Sequence, residues 1–127
     1  MADVNRGNRP LSPHLSIYRP QMTSFSSIMV RLTGIAALFL FVLVVWWLLA
    51  AATSESAFNF IDGLLTSWLG TVVMLGAAWA LFYHMLGRLR HLVWDLGYCL
   101  NVETAEKLGV GMFVMATVLT VVAALVV

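Results

Sequence analysis

The stretch LTGIAALFLFVLVVWWLLAAA, residues 32–52, runs for 21 positions without one charged side chain. Crossing ~30 Å of hydrocarbon takes roughly 20 such residues in a helix. Working outward, two further segments reach that length, residues 63–86 and 108–127. The last is β-branched, with Val114, Thr117, Val118, Thr120, Val121 and Val122, a pattern that favours a strand in water. A lone strand leaves its backbone groups unpaired in lipid, so helix wins in all three. Extended over their polar ends, the predicted spans are about 28–52, 63–95 and 106–127. The fold class is an all-α membrane protein with three transmembrane helices, forming one domain over residues 1–127.

Composition points the same way. The chain is 61% hydrophobic and 10% charged, with mean hydropathy +0.93, too little charge to solvate a soluble exterior. A net charge of +1 gives nucleic acid no electrostatic footprint, so the expected surroundings are membrane lipid, with no nucleic-acid partner. The single cysteine, Cys99, allows neither an internal disulfide nor a zinc cluster.

Met1–Gln21 carries Asp3, Arg6, Arg9 and Arg19 but no apolar core, so no secretory leader is expected. Pro10, Pro13 and Pro20 break helix there, and residues 9–15 read as an extended cytoplasmic strap. Ser24, Ser26 and Ser27 offer N-cap oxygens to the first helix. All seven Lys and Arg residues fall on one side of a three-span arrangement: Arg6, Arg9, Arg19 and Arg31 before or at the first helix, Arg88, Arg90 and Lys107 around the second connection. The connection 53–62 has Glu55 and Asp62 but no basic residue. The positive-inside rule then sets the N-terminus in the cytoplasm and the C-terminus outside. Trp46, Trp47 and Trp68 fall toward the outer interface, Trp94 and Tyr98 toward the inner one.

Two constellations carry chemistry. His84 ends the second apolar run. An ionisable side chain inside a membrane helix is costly and marks a functional site by default, and imidazole is an axial ligand of haem iron. His91 lies seven residues on, about 10.5 Å along the same helix face. Axial ligands of one iron sit on opposite sides of the macrocycle, so His84 and His91 on one straight helix cannot clamp the same haem. His14 lies in the strap, with nothing aiming it into the membrane. A six-coordinate haem would take its other ligand from a second polypeptide. A neutral histidine bonded to a neighbouring helix is an equal reading of the same residue. His91, beside Arg90 and Trp94, suits solvent or a haem propionate better than ligation. In the other constellation, Ser27 and Arg31 stand at i and i+4 and share a helix face, at the end to which the second helix returns His84, Arg88, Arg90 and His91. A hydroxyl and a guanidinium there suit a carbonyl-bearing, lipid-soluble molecule or a propionate. The alternative is a helix cap and a snorkelling arginine.

Three motifs taken together, Arg9-Pro10-Leu11-Ser12-Pro13-His14-Leu15-Ser16-Ile17-Tyr18, Ser27-Ile28-Met29-Val30-Arg31-Leu32-Thr33-Gly34 and His84-Met85-Leu86-Gly87-Arg88-Leu89-Arg90-His91-Leu92-Val93-Trp94-Asp95, resemble the cytochrome b membrane-anchor subunits of succinate dehydrogenase, respiratory complex II, in their bacterial form. The order and spacing agree over essentially the whole chain. The resemblance implies one haem b shared with a second small membrane subunit, with His84 as axial ligand, and Arg31, Arg88 and His91 as propionate candidates. It places Ser27 and Arg31 in a ubiquinone site beside an iron–sulfur subunit. It implies a flavoprotein subunit that oxidises succinate and a bacterial inner-membrane location. Two positions depart from the pattern. Val30 replaces a histidine common before the arginine, removing any propionate or proton role there. Arg88 replaces the motif's glycine, with Gly87 one position early; close backbone approach to haem at position 88 is lost, while the guanidinium can meet a propionate. No Gly-x-Gly-x-x-Gly fingerprint or cysteine cluster occurs in this chain, so flavin and iron–sulfur chemistry is expected on partners. The rival readings are the anchor of a quinol:fumarate reductase and a non-redox assembly or transport subunit.

Overall fold

The computed structural model describes residues 17–126. The proposed strap, His14 and the final Val127 lie outside that range. Four helices follow one another: α1 Met22–Thr53, α2 Glu55–Thr66, α3 Trp68–Asp95 and α4 Val102–Val126. α1, α3 and α4 are long and apolar enough to cross a membrane, and the chain is a multi-pass membrane protein.

The helix boundaries follow local chemistry. α1 starts at Met22, with Gln21 in extended conformation before it and no side-chain cap. Ser24, Ser26 and Ser27 are therefore inside the helix rather than at its N-cap. Its 32 residues span ~48 Å against ~30 Å of hydrocarbon, so its serine-rich first turns extend past the apolar layer or the helix tilts. The connection over 53–62 is mostly helix α2. Ser54 ends α1 in extended conformation and its Oγ accepts from Ala57 N–H at 3.2 Å, with Glu55 in the first turn, where a carboxylate favours the helix dipole. Residues 63–66 belong to α2, and the second span begins at Trp68. Ser67 breaks the chain and caps α3, its Oγ accepting from Gly70 N–H at 3.1 Å. Asn101 does the same for α4 through Thr104 N–H at 2.8 Å.

Paired contacts give the topology. Ser26 meets Arg90 and Val30 meets Gly87, so α1 and α3 are antiparallel. Trp79 meets Thr117 at 3.1 Å while Gly87 faces Met112, so α4 runs back alongside α1. The buried positions are mostly small or medium: Val30, Thr33, Ala80, Gly87, Ala105, Gly109, Met112 and Ala116. Lipid gives apolar side chains no reason to leave it, so close backbone approach drives such packing. A Cβ on Gly87 would run into the Val30 side chain. Around this seam Tyr83, Phe113, Phe25 and Trp79 stack, with Tyr83 and Phe113 centroids 4.7 Å apart. The large apolar residues of α1, among them Leu38, Phe39 and Phe41, face outward. At the far end α2 folds onto α1: Ile61 is buried, Phe58 packs on Trp47, and Trp47 Nε1 donates to Asp62 at 3.3 Å.

Candidate functional site

The seam between α1 and α3 holds His84. The ring is half-buried and its Nδ1 lies 2.9 Å from the Val30 carbonyl oxygen. A carbonyl only accepts, so Nδ1 carries the proton. Nε2 is then the bare nitrogen, and it accepts from Arg88 Nε at 3.2 Å. Both bonds agree with one neutral tautomer. Gly34 makes the seat possible, since a Cβ there would come within 2.8 Å of the imidazole Cε1. Thus α1 supplies an acceptor at Val30 and a flat patch of backbone at Gly34, and together they fix the ring. Orienting a histidine through its second nitrogen is what presents the first to a metal. Among the described residues no three His, Cys, Asp or Glu side chains cluster, so His84 is a single-ligand candidate.

The other sequence-derived residues surround this seat unevenly. Arg31 follows Val30 directly and is exposed; Ser27 lies about one turn earlier and is half-buried. Because Ser27 is well inside α1, it does not cap the helix, and that explanation of the residue falls away. Arg88 is exposed except for its bond to His84. His91 is half-buried, with Nδ1 2.8 Å from the Gly87 carbonyl of its own helix and its ring edge-on to Trp94.

A third group centres on Arg90, which the sequence brings to this end of the bundle without giving it a buried partner. Arg90 is 4% exposed. Its Nη1 donates to Ser26 Oγ at 2.8 Å across the seam. Its guanidinium lies 4.6 Å from the Trp94 ring centroid, a cation–π contact. The Nε and Nη2 donors have no acceptor among the described residues. Tyr83, fully buried, donates to the Ser26 backbone carbonyl at 3.2 Å. The signal was available: Ala80, Tyr83, Gly87 and Arg90 follow a three-four-three spacing and are all buried on α3, a helical stripe that carries the arginine inward.

Similarity to known proteins extends along nearly the whole chain. The family model described as "Succinate dehydrogenase/Fumarate reductase transmembrane subunit" matches residues 5–123. A succinate dehydrogenase cytochrome b556 subunit of Paracoccus denitrificans is 50% identical over 121 residues, 95% of this chain and 93% of that protein. The cytochrome b556 subunit of Rickettsia conorii is 34% identical over 89% of this chain and 88% of its own length. A succinate dehydrogenase cytochrome b560 subunit of Reclinomonas americana is 37% identical over 91% of this chain and 84% of its own.

Proposed function

The chain belongs to the succinate dehydrogenase/fumarate reductase transmembrane-subunit family, and from that premise we propose that it is the haem-binding anchor of a bacterial succinate:ubiquinone oxidoreductase. In this reading it shares one haem b with a second small membrane subunit and sits under an iron–sulfur subunit and a flavoprotein. Its N-terminus faces the cytoplasm and its C-terminus the periplasm.

The observation that carries the reading is the seat of His84. One nitrogen is committed to Val30 O and the other is bare except for Arg88. That is the donor set haem needs from one side. A bound haem b supplies a one-electron redox centre at this seat. Val30 O keeps the imidazole in the tautomer whose Nε2 lone pair is available. With haem held at His84, Arg88 would be released from its hydrogen bond to Nε2, and its guanidinium would suit a propionate, as would Arg31 and His91.

Ser27 and Arg31 bind the ubiquinone head group. Reduction delivers two electrons and two protons, and negative charge builds on a carbonyl oxygen before the protons arrive. Arg31 stabilises that charge and Ser27 hydrogen-bonds the oxygen, both fixed on α1 in advance. Their position near the end of the span keeps the head group close to the electron donor and to water.

Two rates on the same membranes test this. Losing a hydrogen bond that involves a charge costs about 1.5–3 kcal/mol, roughly 10- to 150-fold. Ser27→Ala and Arg31→Leu should slow succinate:ubiquinone reduction by up to this much. Succinate oxidation by an artificial acceptor that takes electrons upstream should hardly change. Unchanged ubiquinone reduction would refute the assignment, and equal loss of both rates would trace the defect to assembly.

A further inference from the structure

Ser26 is where three helices meet. It is fully buried. Its hydroxyl donates to the Thr23 carbonyl at 3.1 Å and accepts from Arg90 at 2.8 Å. Its carbonyl accepts from Tyr83 at 3.2 Å. α4 closes over it, since a Cβ on Gly109 would stand 3.3 Å from the Ser26 hydroxyl. No other residue of α1 is held from α3 by two side-chain hydrogen bonds among the described residues.

The placement of this double bond matters because of what comes next in the sequence. Successive helix residues are turned by about 100°, so when Ser26 is drawn toward α3, Ser27 is turned away from it. Arg31, one turn on, shares that second face. α1 begins at Met22 without a side-chain cap from Gln21, its first turns tied locally by an exposed Tyr18–Ser24 hydroxyl pair at 3.1 Å. The pins from α3 add two buried bonds. The pin is also expensive for a structural device: a buried guanidinium with two donors unpartnered among the described residues costs more than a neutral hydrogen bond would.

We propose that Arg90 and Tyr83 are positioning residues for quinone reduction: through Ser26 they set the rotation of α1 that presents Ser27 and Arg31 to the ubiquinone head group. This rests on the ubiquinone reading of Ser27 and Arg31. A head group gripped by two side chains on one helix is sensitive to that rotation, because a misplacement of ~1 Å can cost about 100-fold in rate.

The experiment is a double-mutant cycle on the intact complex in membranes. The variants are Arg90→Lys, Tyr83→Phe and Ser27→Ala, with each of the first two also combined with Ser27→Ala. KM and kcat for ubiquinone are measured, and the upstream-acceptor rate counts assembled complex. Arg90→Lys and Tyr83→Phe should each raise the ubiquinone KM, by up to about tenfold, the scale of coupling within one hydrogen-bond network. In the Ser27→Ala background their effect should be smaller, because one of the two side chains they present is already gone. Tyr83→Phe keeps the ring and its packing, so it carries the test if Arg90→Lys fails to assemble. Less complex with an unchanged KM would reduce Arg90 and Tyr83 to structural pins and overturn the proposal. Fully additive KM effects would also overturn it. If Ser27→Ala alone left both KM and kcat unchanged, the ubiquinone reading would fall and this proposal with it. If Ser27→Ala raised KM but Arg90→Lys and Tyr83→Phe did not, only the positioning role would fall.

Discussion

At the scale of the residue, His84 and His91 stand on one helix face but have different partners. His84 is tied across the seam to Val30 O, whereas His91 is tied only to Gly87 O of its own helix. A ring fixed by a neighbouring helix keeps its orientation when a ligand arrives; a ring bonded to its own backbone at the helix end has less to fix it. His84→Ala should therefore abolish or strongly alter the low-spin b-type spectrum in a reduced-minus-oxidised scan of the purified complex. His91→Ala should leave the α-band in place with a modest shift. Loss of the band in His91→Ala with an intact band in His84→Ala would reverse the assignment. Spacing and residue type single out His84, but nothing in the sequence could say that Val30 O and the bare backbone of Gly34 would form its seat. Those depend on which turn of α1 lies opposite, a property of the packed pair. The inward turn of Arg90 was readable from its spacing to Tyr83, yet an arginine at a span's end reads first as a snorkelling charge.

At the scale of the element, the three long helices follow from apolar length alone. The short one does not, because α2 is too brief to span and its signals are two serines. Ser54 and Ser67 each turn an extended residue into a helix start, and both lie in the short stretch of mixed polar and apolar residues between two spans. The α1–α3 seam is the element-level feature most exposed to test. Gly87 lets the two backbones approach until a Cβ would overlap Val30. Gly87→Ala should destabilise the membrane domain by about 1–3 kcal/mol, the usual cost of overpacking. Its effect would appear as a lower midpoint for thermal loss of the b-type absorbance. Val30→Ala, which removes the colliding methyl groups, should restore much of that midpoint when combined with Gly87→Ala. Simple addition of the two losses would show that the seam is not what Gly87 protects.

At the scale of the whole molecule, charge and helix direction agree on one end. α1 enters, α3 leaves and α4 enters at the same end of the bundle, the end where Arg19, Arg31, Arg88, Arg90 and Lys107 lie. At the opposite end, α2 offers Glu55 and Asp62 and no basic residue. A short loop rich in Lys or Arg resists translocation, whereas an acidic one does not. In the proposed orientation the basic end stays in the cytoplasm, which would also put Ser27, Arg31 and the His84 seat nearer the side where electrons from succinate arrive. Three spans would then send the C-terminus to the periplasm. A reporter active only outside the cytoplasm, fused after Val127, should be active, and a reporter active only in the cytoplasm should be silent at the same site. The same pair inserted after Asn101, between α3 and α4, should give the opposite result. Cytoplasmic activity at Val127 together with periplasmic activity at Asn101 would invert the molecule. That inversion would move the proposed ubiquinone site to the far side of the membrane from the electron donor.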